Sequence, residues 1–338
     1  MSANLTAATP ARRQLLGLAR AAALLAGTAG FAIPASAFTV YVSNEKDNTV
    51  TVLDSTTWEV TETIKVGQRP RGITISPDGK ELYVACGDDD TVNVIDTATN
   101  KITHNLPSGP DPELFILHPS GNPLYVANED DNLVTVVDVK TRSPITEIPV
   151  GVEPEGMGIS PDGKVVVNTS ETTSMAHFID TDSHEIFANV LVDTRPRIAE
   201  FKKDGSEVWV SSEIGGTVSV IEAATQEVKK VISFQIDGVR SEAIQPVGVR
   251  ITQDGKKAYV ALGPANRVAL IDAETYEVEK YMLVGQRVWQ LAFTPDEKFL
   301  ISTNGVSNDI SIVDVAKDEV IKSVGVGSYP WGVVVKPD

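Results

Sequence analysis

One cysteine, Cys86, serves the whole chain, so no internal disulfide can staple it. No C-x-x-C-H run is present either, which excludes an attached c-type haem. Within the apolar segment ELYVAC the lone thiol reads as buried and structural. Histidine is scarce too: His104, His118, His177 and His184 stand far apart, in no zinc-ligand spacing. His177, in MAHFID, is expected to pack between neighbouring sheets. The chain has no G-x-S-x-G, no Walker loop and no G-x-G-x-x-G, so no nucleophile elbow or nucleotide-binding loop is announced. Basic charge is in deficit, 29 Lys and Arg against 46 Asp and Glu, for a net charge of −17. Such a chain lacks the general electrostatic footprint of a nucleic-acid binder. Residues 1–37 hold Arg12, Arg13 and Arg20 and no acid, so the remainder is more acidic still.

What is present is a repeat. Seven apolar segments end in an acidic residue: Asp54, Asp96, Asp138, Asp180, Glu222, Asp272 and Asp314. Successive intervals are 42 residues, except one of 50 between Glu222 and Asp272. A period of about 40–45 residues built from short strands and turns is one blade of a β-propeller. Gly67, Gly109 and Gly151, then Gly285 and Gly327, keep the same phase, as do Pro70, Pro112, Pro154, Pro196 and Pro330. Turns of the S-P-D-G type recur at 76–79, 118–121 and 160–163, where Pro and Gly supply the dihedrals of a tight connection. One unit therefore reads as inner strand RGITIS, second strand ELYVAC, third strand TVNVID and outer strand KITHNL. Polar residues alternate with apolar ones in the third and outer strands, as in half-buried strands of period two.

The expected fold is thus all-β, a seven-bladed propeller of four-stranded antiparallel blades. Residues 331–337 are in phase with an inner strand that has no blade after it, and 38–43 with a second strand that has none before it. The ring is expected to close with three N-terminal strands and one C-terminal strand in one blade, which removes exposed sheet edges. A domain of about 300 residues buries roughly three-quarters of its unfolded surface, enough for a sizeable core. Residues 1–37 read differently. Arg12-Arg13, an apolar stretch over 15–33 and Ala35-Ser36-Ala37 make a cleavable signal peptide of twin-arginine type. The expectation is export to the periplasm, a single domain over 38–338 and no membrane span after cleavage.

In such blades the turns of the S-P-D-G type lie on one face, nearly the same from blade to blade. The connections into the inner strands lie on the other and differ. Counted from the marker glycine, these carry Arg69/Arg71, Asp111/Glu113, Glu153/Glu155, Arg195/Arg197, Gln245/Val247, Arg287/Trp289 and Tyr329/Trp331, around the mouth of the central channel. The one insertion, around 235–243, falls on the same face, as do the acidic runs 88–90 and 129–131. Arg69, Arg71, Arg195, Arg197 and Arg287 suit a carboxylate or phosphate gripped by paired N–H donors. Trp289, Tyr329 and Trp331 suit a flat ring. Asp111, Glu113, Glu153 and Glu155 suit a hard divalent cation such as calcium. The plainer alternative is that arginines and carboxylates pair with each other across a narrow channel.

The strings YVSN, LYVAN and TVNVIDTAT resemble the YVTN-type propeller repeat over essentially the whole mature chain. NEKDNTVTVLD, VGQRPRGI, SGPDPELF, SETTSMAHFID and VGQRVWQLAFTPDEK depart from that generic repeat. They resemble a seven-repeat periplasmic propeller family associated with PQQ-dependent catabolism. The resemblance implies a periplasmic accessory protein and leaves its molecular role open; the first reading is a non-enzymatic binding or adaptor protein serving PQQ-linked alcohol oxidation or its transport system. Its expected partners are periplasmic proteins of that system and a small anionic ligand such as PQQ, which is flat, tricarboxylated and metal-chelating. The wider propeller set includes haem d1 domains, but no rim pair contains His. The alternative is a metal-assisted lactonase or hydrolase of the seven-bladed type, working through Glu153, Glu155 and nearby acids.

Overall fold

The acid that closes each repeat does so as a turn-former. In the computed structural model, which describes residues 37–337, Asp54 Oδ1 accepts the backbone N–H groups of Thr56 and Thr57 at 2.8 and 2.9 Å. Asp138, Asp180 and Asp272 repeat the pattern with the residues two and three places on. These bonds fold the chain back and favour the ionised carboxylate, so all four sit below the usual carboxylate value. The outer strand of each blade follows.

The result is seven four-stranded antiparallel sheets, as the repeat predicts. Six are continuous in sequence, within 70–107, 112–149, 154–191, 196–233, 249–283 and 288–325. The seventh is assembled from Thr39–Asn44, Thr49–Asp54 and Glu59–Lys65, with Pro330–Lys336 as its inner strand. Thr39 pairs with Lys336 and Asn44 with Pro330, so the two ends of the ring are hydrogen-bonded together. Arg12, Arg13 and the apolar stretch over 15–33 lie outside the described residues. Among the described residues no helix is long and apolar enough to cross a membrane.

The core lies between blades. One cluster, for example, joins Tyr41, Val50, Val52 and Ile64 of the first blade to Leu82, Val84, Cys86 and Ile95 of the second. Cys86 is buried there, and burial pushes its thiol up to about 12. The third strands depart from the half-buried reading, because a neighbouring blade covers each of their faces. Their polar residues Thr51, Asn93, Thr135, His177, Ser219 and Ser311 are all buried. They are satisfied locally: Asn44 Nδ2 donates to Thr51 Oγ1 at 2.8 Å, and Asn304 Nδ2 to Ser311 Oγ at 3.0 Å. His177, buried like the rest of its strand, accepts the N–H of Gly151, in the connection from the preceding blade, at 3.0 Å.

The inner strands position the channel mouth. In five blades the inner strand gains one residue against its partner, between Pro70 and Ile73, Pro112 and Phe115, Pro154 and Met157, Pro196 and Ala199, and Val288 and Leu291. The closing strand does so opposite Val42 and Asn44. A bulge re-aims the side chains it contains, here Arg71, Glu113, Glu155, Arg197, Trp289 and Trp331. The inner strands also approach each other closely. At Gly156 a Cβ would overlap the carbonyl oxygen of Arg197 in the next blade. The insertion shortens one inner strand to Val249–Ile251. Its own apolar residues, among them Phe234, Ile236 and Val239, pack on the adjoining core.

Candidate functional site

The first residue of six of the seven rim pairs adopts a left-handed backbone without being glycine: Arg69, Asp111, Glu153, Arg195, Arg287 and Tyr329, at φ between 49° and 59°. Such positions cost of order 1–3 kcal/mol and persist only where the surroundings hold them. Here the holder is the preceding blade. Asn48, Asn132, Asn266 and Asn308 accept the N–H of Arg69, Glu153, Arg287 and Tyr329 through Oδ1, at 2.8–3.0 Å. Asp90 does the same for Asp111 at 3.1 Å. The carbonyl of each rim residue then accepts an N–H from its own blade, as in Glu171 to Glu153 at 2.8 Å and Glu213 to Arg195 at 2.8 Å. The mouth is thus built as a rigid ring stitched from blade to blade.

Each of the five arginines is engaged by carboxylates. Arg69 reaches Asp88 at 2.8 Å, Glu113 at 2.9 Å and also Asp111. Arg71 contacts Glu113 at 2.6 Å and Glu45 at 3.2 Å. Arg197 contacts Glu155 at 2.8 Å and also Glu171, and Arg195 contacts Glu171 at 2.9 Å and Glu213 at 3.3 Å. Arg287 meets Glu213 at 2.6 Å and Gln245 at 2.7 Å, and its guanidinium stands 4.1 Å from the Trp289 ring centre. Glu153, the one rim acid without an arginine in this set, accepts the hydroxyl of Thr172.

Burial opposes the charge of Arg71 and Arg197, but the surrounding carboxylates outweigh it and hold both guanidiniums firmly protonated. Burial likewise opposes ionisation of Glu113, and Arg71, Arg69 and Arg197 overcome it, so its carboxyl stays below the ordinary value. Elsewhere burial wins. Glu155 is pushed well up by burial, with Glu113 and Glu171 adding to it. Glu171 is raised for the same first reason. Glu129, packed near Glu113, is pushed up to about 7. Carboxyl groups outnumber guanidiniums in this ring, which favours the neutral form of the surplus acids.

The aromatic residues close the channel rather than line it. Trp289 and Trp331 stack with ring centres 6.2 Å apart and join Val247, Leu114 and Tyr329 in an apolar plug. Trp331 is 1% exposed and Trp289 8%. The sequence reading placed all twelve candidates, Arg69 through Trp331, on one mouth, and the fold brings them there. It set the acidic run 129–131 on this face but did not read a third tier of arginine partners. Glu45, Glu129, Glu171 and Glu213 occur one residue after the second strands, in the same phase of 42, and supply many of the partners. The phase of those glutamates was the available signal. For a divalent cation, Asp111, Glu113 and Glu129 offer oxygens within 4.8 Å of one another. Two of the three already bind arginine.

Residues 128–311, more than half of the chain, match the choice-of-anchor I domain family, and residues 2–122 match the YNCE-like β-propeller family. No curated protein matches the chain. Among similar solved structures is Kuenenia stuttgartiensis hydrazine synthase, with TM-score 0.75 and 23% identity over 82% of this chain and 92% of that chain. A functionally unknown protein from Desulfotomaculum acetoxidans has TM-score 0.72 and 18% identity over 90% and 100%. Dihydro-heme d1 dehydrogenase NirN in complex with DHE has TM-score 0.67 and 17% identity over 88% and 74%. At these identities the likeness shows the propeller fold alone.

Proposed function

The chain belongs to the choice-of-anchor I domain family and closes as a seven-bladed propeller, and from that premise we propose that it is a non-enzymatic docking protein of the periplasm. It serves PQQ-linked alcohol oxidation or the associated transport system, and the contact is made by the channel-mouth face. The observation that carries docking over ligand capture is the internal pairing of the rim. PQQ would need free guanidiniums and an open aromatic face. Each of the five arginines already has a carboxylate partner, and Trp331 is buried. The mouth residues therefore do not fit that group without breaking their own ring.

What the mouth does present is an acidic arc on the first three blades. Asp47, Asp88, Asp89, Asp90, Asp130 and Asp131 are exposed there, beside Lys46. On the fourth, fifth and seventh blades Val152, Ile214 and Val306 are exposed as well. The fitting partner is a protein with a basic surface, steered by charge and weakened by salt. Capture from periplasmic extract tests this. Wild-type protein is expected to retain such a partner at low salt and release it at about 0.5 M, beyond the range of surface charges. Asp88→Lys with Asp130→Lys and Asp131→Lys is expected to retain none. Equal retention by both would sink the reading, as would saturable PQQ binding lost on replacing Arg69 and Arg71 by Ala.

A second reading, the metal-assisted hydrolase, is favoured by the Asp111, Glu113 and Glu129 oxygens alone. It requires a cation to displace Arg69 or Arg71 from Glu113. One tightly held divalent ion per chain, with chelator-sensitive lactone turnover abolished by Glu129→Gln, would establish it.

A further inference from the structure

The channel is plugged toward the charged mouth, yet it is open at the other end. Below the Trp289–Trp331 plug lies a cavity of about 480 Å³ that opens among the S-P-D-G-type turns, at Pro119, Ser160 and Pro161. This volume is in the range of small-molecule sites. Its walls are polar and apolar in nearly equal measure, with Ile116, Met157, Ile198 and Phe201 on the apolar part.

Two polar features stand out in that wall. Gln290 is 5% exposed and lines the cavity, and neither its Oε1 nor its Nε2 has a hydrogen-bond partner. A buried amide left bare on both atoms is unusual, since it can donate two hydrogen bonds and accept two. The six other positions of its tier, at the same phase of the repeat, are Gly72, Leu114, Gly156, Ile198, Gly248 and Gly332, so no neighbour of that tier reaches it with a polar side chain. Two residues along the adjacent inner strand from Gly248 is Arg250, about 7 Å further toward the opening at the usual rise per residue. Arg250 forms an ion pair with Glu200 at 3.2 Å and donates to the Val249 carbonyl at 2.8 Å, both through Nη1 alone, unlike the multiply engaged arginines of the mouth. Its other N–H groups have no acceptor among the described residues. With Lys203, Arg250 makes the cavity lining net positive against Glu200 alone, in a chain of net charge −17.

We infer that this turn-side cavity is a binding site for a small organic carboxylate with an apolar body and a hydrogen-bonding group at its far end. The carboxylate meets Arg250 and Lys203 near the opening, the body lies against Ile116, Met157, Ile198 and Phe201, and the far polar group satisfies Gln290. The site is separate from the charged mouth and does not depend on what docks there.

The probe is 4-hydroxybenzoate, titrated into the purified full chain by calorimetry and by ligand-observed NMR, beside benzoate and methyl 4-hydroxybenzoate. Saturable binding of 4-hydroxybenzoate is expected, weakened at least tenfold by removing its charge in the methyl ester. Arg250→Met is expected to weaken both acids by a similar factor. Gln290→Leu is expected to weaken 4-hydroxybenzoate but not benzoate, and to raise the melting temperature of the free protein because the bare amide is gone. The ester comparison uses wild-type protein and so stands even if a variant fails to fold. Absence of binding up to 10 mM, equal binding of acid and ester, or binding indifferent to both substitutions would each overturn the proposal and leave a solvent-filled channel.

Discussion

At Glu129 burial and the nearby Glu113 push the carboxyl up to about 7 from 4.5. A group that holds its proton more tightly in the folded state than in the unfolded one favours folding below the unfolded value, and that contribution fades as pH rises through the folded one. Stability is therefore expected to fall between about pH 4.5 and 7, with Glu155 and Glu171 acting in the same sense. Glu129→Gln should flatten that fall in urea-unfolding curves recorded across the range. The turn acids Asp54, Asp138, Asp180 and Asp272 act oppositely. Their folded values are depressed, so their contribution is lost as pH drops below about 4, near the unfolded value. Arg197 is the counterpart test. It is buried between Glu155 and Glu171, and Arg197→Met leaves Glu155 without its cation and Glu171 with Arg195 alone, at a cost of about 3–5 kcal/mol at pH 8. The loss should be smaller at pH 5, where those carboxyls take up protons, and the same urea measurement reads it.

The inner-strand entry is the element in which sequence and tertiary demand meet most tightly. A left-handed residue, a bulge and an acceptor from the preceding blade act together, and the acceptor residue is itself left-handed, as at Asn132 with φ 60°. Asn132→Ala loses the bond to Glu153 N–H and places an alanine in that conformation, for an expected cost of about 2–3 kcal/mol. Asn132→Gly tolerates the conformation and loses only the bond, so about 1 kcal/mol is expected. Chemical denaturation distinguishes the two. Equal losses would mean that the backbone conformation carries no strain.

For the ring as a whole, closure rests on one strand. Pro330–Lys336 completes the first blade, and its Val333 and Val335 join Val40 and Val42 in the core shared with the seventh blade. Ending the chain at residue 328 would bare the edge of Thr39–Asn44 and open that core. Loss of a single cooperative melt and appearance of oligomers on size-exclusion chromatography are expected, since an unpaired edge recruits another chain. A monomer melting within a few degrees of wild type would show that closure contributes little.

The repeat in the sequence sufficed for seven blades, for the phase of each strand and for the shared blade at the termini, because these depend on local strand and turn chemistry repeated at one interval. It also sufficed to bring Arg69, Glu113, Arg197 and Trp331 to one mouth, since phase alone assigns a residue to a face. Only the folded ring decided what those residues do. Arg71 meets Glu113 from 42 positions away and Arg287 meets Glu213 from 74, so whether a charge is free or neutralised depends on distances between blades that no local pattern encodes. The open end of the channel was decided in the same way. The mouth, with its varied charges, drew attention in the sequence. Yet Trp289, Trp331, Val247 and Leu114 fill it from separate blades, while the monotonous turn side is left with a cavity. Packing volume summed across the ring, rather than any single repeat, settles that outcome.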